Sequence, residues 1–127
     1  MGRRPLETVT LKRHDARIVC ERCVVADRPV ARMRGLLGRG RLDRGDGILL
    51  RPTSSIHTFF MRFSIDAIFL DGDGRVLKVC ENVRPWRVAA CRGASATVEL
   101  AAGDAGRSGV RPGDRIEALP AERAADD

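Results

Sequence analysis

Between Ile65 and Cys80 the chain reads IDAIFLDGDGRVLKVC. Two apolar runs flank Asp71-Gly72-Asp73-Gly74, and Asp-Gly pairs supply the left-handed residues that a tight reversal needs. The stretch predicts a hairpin with strands at Ile65–Leu70 and Val76–Cys80. Upstream, Gly47-Ile48-Leu49-Leu50 reads as a buried strand stopped by Pro52, and the apolar segment holding His57 lies between it and the hairpin. Before that strand, Asp27 can cap a short helix. Pro29 suits its first turn, Val30, Met33 and Leu37 form its apolar stripe, and Gly38 and Gly40 end it.

Towards the N-terminus, residues 17–25 (RIVCERCVV) alternate as a strand. A first strand near Val9–Lys12 precedes them across a His14-Asp15 turn. Downstream, strands are expected near Trp86–Cys91, at Ala96–Ala101 and at Arg115–Leu119, the last entered through Pro112-Gly113-Asp114. Gly103–Gly109 allows one short helical turn. Short strands with close turn signals predict a mainly β fold, a two-sheet sandwich or barrel with one short flanking helix. Residues 8–119 form the expected single domain, with residues 1–7 a flexible start and residues 120–127 a disordered tail.

A chain of 127 residues supports one core. With four Phe, one Trp and no Tyr, that core must be built largely from Val, Ile, Leu and Ala. No apolar run approaches a membrane span, and no apolar segment follows the basic N-terminus as in a secretory signal. Leu6 stands where myristoylation would need Ser or Thr. The expected location is the cytoplasm, with no membrane association.

The net charge of +6 is lopsided: 14 basic and 6 acidic side chains lie within the first 63 residues. Such a half could be an electrostatic footprint for nucleic acid. Only Lys12 and Lys78 are lysines, so the charge is almost wholly Arg, as a compositional bias would produce. No aromatic residue interleaves the cations from Arg28 to Arg44 for base stacking.

Four blocks in order carry a family resemblance: RGLLGR at 34–39, SIHTFFMRFSIDAIFLD at 55–71, RPW at 84–86, and VELAAG followed by GVRPGD between 98 and 114. Together they span most of the chain. The sequence resembles the family called domain of unknown function 192, with Ser64 departing from the Pro of many relatives. The resemblance implies a compact two-sheet β structure of jelly-roll type with a short helix alongside. It implies no assigned chemistry, and the four cysteines are not part of its pattern.

Asp66 interrupts an apolar strand, so its carboxylate must reach solvent or find a buried partner. If the His57 segment folds back beside Ile65–Leu70, imidazole and carboxylate would meet as an acid/base or anion-binding pair. Otherwise Asp66 caps a turn or bonds Arg62, and His57 is a satisfied, half-buried residue. Ser55, His57 and Asp66 lack the Gly-x-Ser-x-Gly setting of an acyl-transfer nucleophile. His57 and Met61 are too few to hold a soft metal, and Met in an apolar run is commonly core filler. Trp86, between Arg84-Pro85 and Arg87, either lines a pocket or plugs one end of the fold.

Cys20-Glu21-Arg22-Cys23 with Cys80 and Cys91 could supply four thiolates for zinc. Regular alternation, however, would send Cys20 and Cys23 to opposite faces of their strand. Buried thiols are expected instead, with no metal and no cofactor. No phosphate loop is present. The favoured function is a small non-catalytic binding domain whose pocket is rimmed by His57, Asp66, Trp86, Met61 and Arg62. Its ligand would be a small anion or a partner peptide. The alternatives are an enzyme using His57 and Asp66, and nucleic-acid binding through the Arg-rich N-terminal half.

Overall fold

The computed structural model describes residues 7–26 and 41–121. Nine strands follow in chain order: β1 (Thr8–Arg13), β2 (Ile18–Ala26), β3 (Asp46–Leu50), β4 (Ser55–His57), β5 (Ile65–Leu70), β6 (Val76–Val83), β7 (Val88–Ala90), β8 (Ala96–Ala101) and β9 (Ile116–Pro120). One short helix, α1 (Asp104–Ser108), lies between β8 and β9. The helix expected from Asp27 and the two expected terminal segments fall largely or wholly outside the described residues.

Seven strands form one mixed sheet in the order β6-β5-β8-β3-β2-β1-β9, and β4 pairs with β7 in a second sheet. Only β2 and β3 run parallel among the paired strands described. The chain is mainly β with two sheets, as expected, but the sheets are unequal and no barrel closes among the described residues. The edges of the large sheet meet at one corner. There Val76 N–H donates to the Asp114 carbonyl and Ile116 N–H to the Gly74 carbonyl, each at 2.8 Å. An isolated bridge joins Arg75 and Arg115 at the same place.

The hairpin forms as its sequence demands. Asp71 Oδ1 accepts the N–H groups of Asp73 and Arg75 at 2.8 and 2.9 Å, and Gly74 takes φ +84°. All six residues of β5 and all six of β8 are buried, because both faces of these central strands are covered. Ile68, Leu70, Val98 and Leu100 pack with Leu11, Val19 and Val76 on one face. Ile65, Ala67 and Phe69 pack with Ile48, Leu50, Ile56 and Met61 on the other.

A bulge corrects the expected placement of the CxxC. Val9 lies opposite Cys23 and Leu11 opposite Cys20, so β2 spends three residue steps where β1 spends two. The extra residue resets the alternation. Cys20 and Cys23 both enter the core beside Val19 and Leu100, while Glu21 and Arg22 remain outside. The Cys20 side chain hydrogen-bonded to Cys23, together with burial, pushes the Cys23 thiol far above the usual range. Cys80 and Cys91 border the opposite core, so the four sulfurs do not converge.

Candidate functional site

Asp66 alternates with Ala67 and therefore shares a face with Ile68 and Leu70. It is 0 % exposed, yet both carboxylate oxygens are occupied. Oδ1 accepts Asn82 N–H at 2.8 Å, and Oδ2 accepts Gly103 and Ala105 N–H at 2.9 Å each. Asp66 thus caps α1 from a neighbouring strand, where an anion meets the unpaired amides of a helix start. Asp104 then ties α1 to the loop before β3, its Oδ2 accepting Gly45 N–H at 2.9 Å.

His57 belongs elsewhere. Its strand pairs with β7, His57 opposite Val88, and not with β5. Its Nδ1 accepts Phe59 N–H at 3.3 Å, which assigns the proton of the neutral ring to Nε2. The imidazole lies against Phe59, ring centroids 4.7 Å apart. The structure therefore places His57 and Asp66 in separate hydrogen-bond networks. Met61 is buried in the core beneath β4, while Arg62 is exposed.

Thr58 organises the segment that follows His57. It is buried, and its N–H donates to the Arg87 carbonyl at 2.8 Å. Its hydroxyl donates to the Arg84 carbonyl at 2.6 Å and accepts Arg87 N–H at 2.9 Å. Its own carbonyl accepts Trp86 N–H at 3.0 Å and Met61 N–H at 3.2 Å. One Thr therefore clamps the turn 58–61 to the turn 84–87. Within these turns Phe60 takes φ +68° and Trp86 φ +65°, a left-handed backbone that bulky residues rarely adopt.

The clamp turns aromatic rings outward. Phe60 is 63 % exposed and Trp86 55 %, so Trp86 does not plug the fold. Phe59 stacks on Trp86 with centroids 5.6 Å apart, and Phe60 meets Trp86 edge-on at 4.7 Å. Beside this ledge runs an open groove of about 550 Å³ between β6 and β7. Lys78, Cys80, Asn82, Arg84 and Arg87 supply its polar lining, and no carboxylate is among the described lining residues. Lys78 Nζ is held by the Ala90 carbonyl at 3.0 Å.

Of the residues expected at a site, His57 and Trp86 join this ledge through Phe59, Arg62 is exposed, and Asp66 and Met61 lie in the interior. The sequence reading passed over Thr58, Phe60 and Lys78. The doubled Phe after Thr58 and the Arg-Pro-Trp-Arg run were visible signals, but nothing local couples them. Among the described residues, no three His, Cys, Asp or Glu side chains gather as a metal site would require.

Several cations of the N-terminal half that the structure describes are engaged by carboxylates. Arg13 reaches the Ser108 carbonyl at 2.9 Å and the carboxylates of Asp15 and Asp114 at 3.3 and 3.5 Å. Arg22 pairs with Asp46 at 2.6 Å, and Arg41 with Asp43 at 2.9 Å. Paired charges leave less field for a distant phosphate.

A solved structure from Sinorhizobium meliloti 1021, provisionally described as a transcription regulator, matches with TM-score 0.76 and 26% identity. The match covers 92% of this chain and 98% of that one. A protein of unknown function from Novosphingobium aromaticivorans DSM 12444 matches in fold, with TM-score 0.72 and 24% identity over 87% and 83% of the two chains. The UPF0127 protein PH1112 of Pyrococcus horikoshii is 53% identical over 38 residues, 30% of this chain and 32% of that protein. This chain thus aligns with about a third of that relative's length. The family model DUF192, described as an uncharacterised ACR, matches residues 9–118, and the chain belongs to that family.

Proposed function

We propose that the protein is a non-catalytic binding domain whose site is the face built by β6, β7 and the turns that Thr58 joins. The ligand is anionic. The observation that carries this reading is the groove itself, with Lys78, Arg84 and Arg87 in its lining and no acidic side chain among its described lining residues. His57, Phe60 and Trp86 extend the face and exposed Arg62 is assigned to its rim, while Asp66 and Met61 support it from within. Cations without paired carboxylates raise the local concentration of anions and hold them by charge-assisted hydrogen bonds. Four free thiols fit a reducing compartment, and we place the protein in the cytoplasm on that ground.

The test is amide chemical-shift mapping with pyrophosphate and with an oligoglutamate peptide. Shifts concentrated in residues 57–62 and 78–90 support the reading. No saturable shifts with either anion, or shifts centred on β1 and β2, end it.

A further inference from the structure

Resting on that reading of the site, we propose that the anion is a nucleotide unit of single-stranded nucleic acid. Its base stacks on the Phe60–Trp86 ledge, and its phosphates follow Arg84, Arg87 and Lys78.

Three features of the face point to this chemistry. The first is where the rings are. Phe60 and Trp86 expose more than half of their surfaces although each sits in a left-handed backbone. Such conformations persist only when the surroundings enforce them, and they gather at functional sites. Here the enforcement is the set of Thr58 hydrogen bonds that join the two turns. The fold thus holds two flat apolar surfaces in water at a conformational cost.

The second feature is the chemistry alongside. Arg84 and Arg87 flank Trp86 in the chain, and both line the groove with Lys78. Aromatic platforms beside a cationic track are how proteins hold single strands, with bases on rings and phosphates on Arg or Lys. A neutral sugar would also use a ring, but its hydroxyls are best held by side-chain acceptors, and among the described lining residues Asn82 alone offers an oxygen acceptor. An acidic peptide would use the cations and leave the flat rings without a partner. The third feature is size. A groove of about 550 Å³ suits a nucleotide or two rather than a duplex.

Trp86 is the sole Trp, so its fluorescence reports stacking without a label. The full chain is titrated at low salt with a thymidylate octamer, adenosine 5′-monophosphate, pyrophosphate and an oligoglutamate peptide. Saturable quenching by the octamer is expected. Phe60→Ala weakens its binding at least fivefold. The double variant Arg84→Ala/Arg87→Ala weakens it and lowers the salt slope by about 1 to 1.5.

Quenching by the octamer well beyond that by the mononucleotide supports the inference; equal quenching by the two overturns the strand and leaves a site for free nucleotides. Pyrophosphate or peptide bound at the groove, with no Trp86 quenching by either nucleotide, overturns the inference and leaves the anion-binding reading standing. Absence of binding by all four removes both. Octamer binding that is indifferent to both variants also overturns it, because the strand then sits on another face.

Discussion

Asp66 Oδ2 accepts the N–H of Ala105 at 2.9 Å, a bond between residues 39 positions apart. It turns an acidic residue inside an apolar strand into the cap of α1, because three amides from two segments converge on one carboxylate. A buried charge held by several N–H donors is stable where an unpaired one would not be. This residue therefore acts on the fold first.

Replacing Asp66 with Asn places an amide donor against at least one backbone donor. Asp66→Asn is expected to lower stability by about 2–3 kcal/mol. Urea denaturation followed by circular dichroism measures it. A change within experimental error would mean that the three hydrogen bonds do not support the fold.

Thr58→Val preserves shape and removes the hydroxyl that serves the Arg84 carbonyl and the Arg87 amide. The expected loss is about 1–3 kcal/mol, the cost of leaving buried partners unsatisfied. The turn holding Trp86 should loosen as well, so near-ultraviolet circular dichroism of the single Trp should weaken in the folded protein. An unaltered Trp signal would show that the clamp does not orient the ring.

The hairpin turn makes a prediction about pH. Backbone N–H groups of Arg75 and Asp73 hold the Asp71 carboxyl below the ordinary value of 3.8. A carboxyl depressed in the folded state contributes stability above its unfolded value, and the contribution is lost as pH falls through the folded value. Asp71→Asn should therefore flatten the acid side of the stability profile, from just above pH 3.8 downward, relative to the parent protein. Urea midpoints measured across the acid range test this; parallel profiles would refute it.

Thiol labelling separates the two cysteine pairs. Cys20 and Cys23 are buried, and the Cys23 thiolate is further suppressed by its hydrogen bond to Cys20. Cys80 and Cys91 are half-buried. At mildly alkaline pH, iodoacetamide should modify Cys80 and Cys91 first, and Cys20 and Cys23 only on unfolding. Peptide mass mapping over time provides the check, and early modification at Cys23 would contradict the bulge in β2.

What the sequence determined by itself is what neighbours along the chain decide. Asp71-Gly72-Asp73-Gly74 specifies its hairpin through side-chain bonds to amides two and four residues on. Ile65–Leu70 and Ala96–Ala101 are read at their observed bounds from apolar character and flanking turns. Gly103 and Gly109 bound α1 because both take left-handed φ. Tertiary structure decided the rest. Alternation places Cys20 and Cys23 on opposite faces until a bulge against β1 shifts the phase, and that bulge is a property of the pairing. Pairing of β4 with β7, and not with β5, separates His57 from Asp66. The outward Trp86 depends on a Thr 28 positions earlier, through hydrogen bonds that no local pattern encodes. Turn chemistry and alternation act over a few residues, whereas the partner of a buried polar group is chosen by the whole fold.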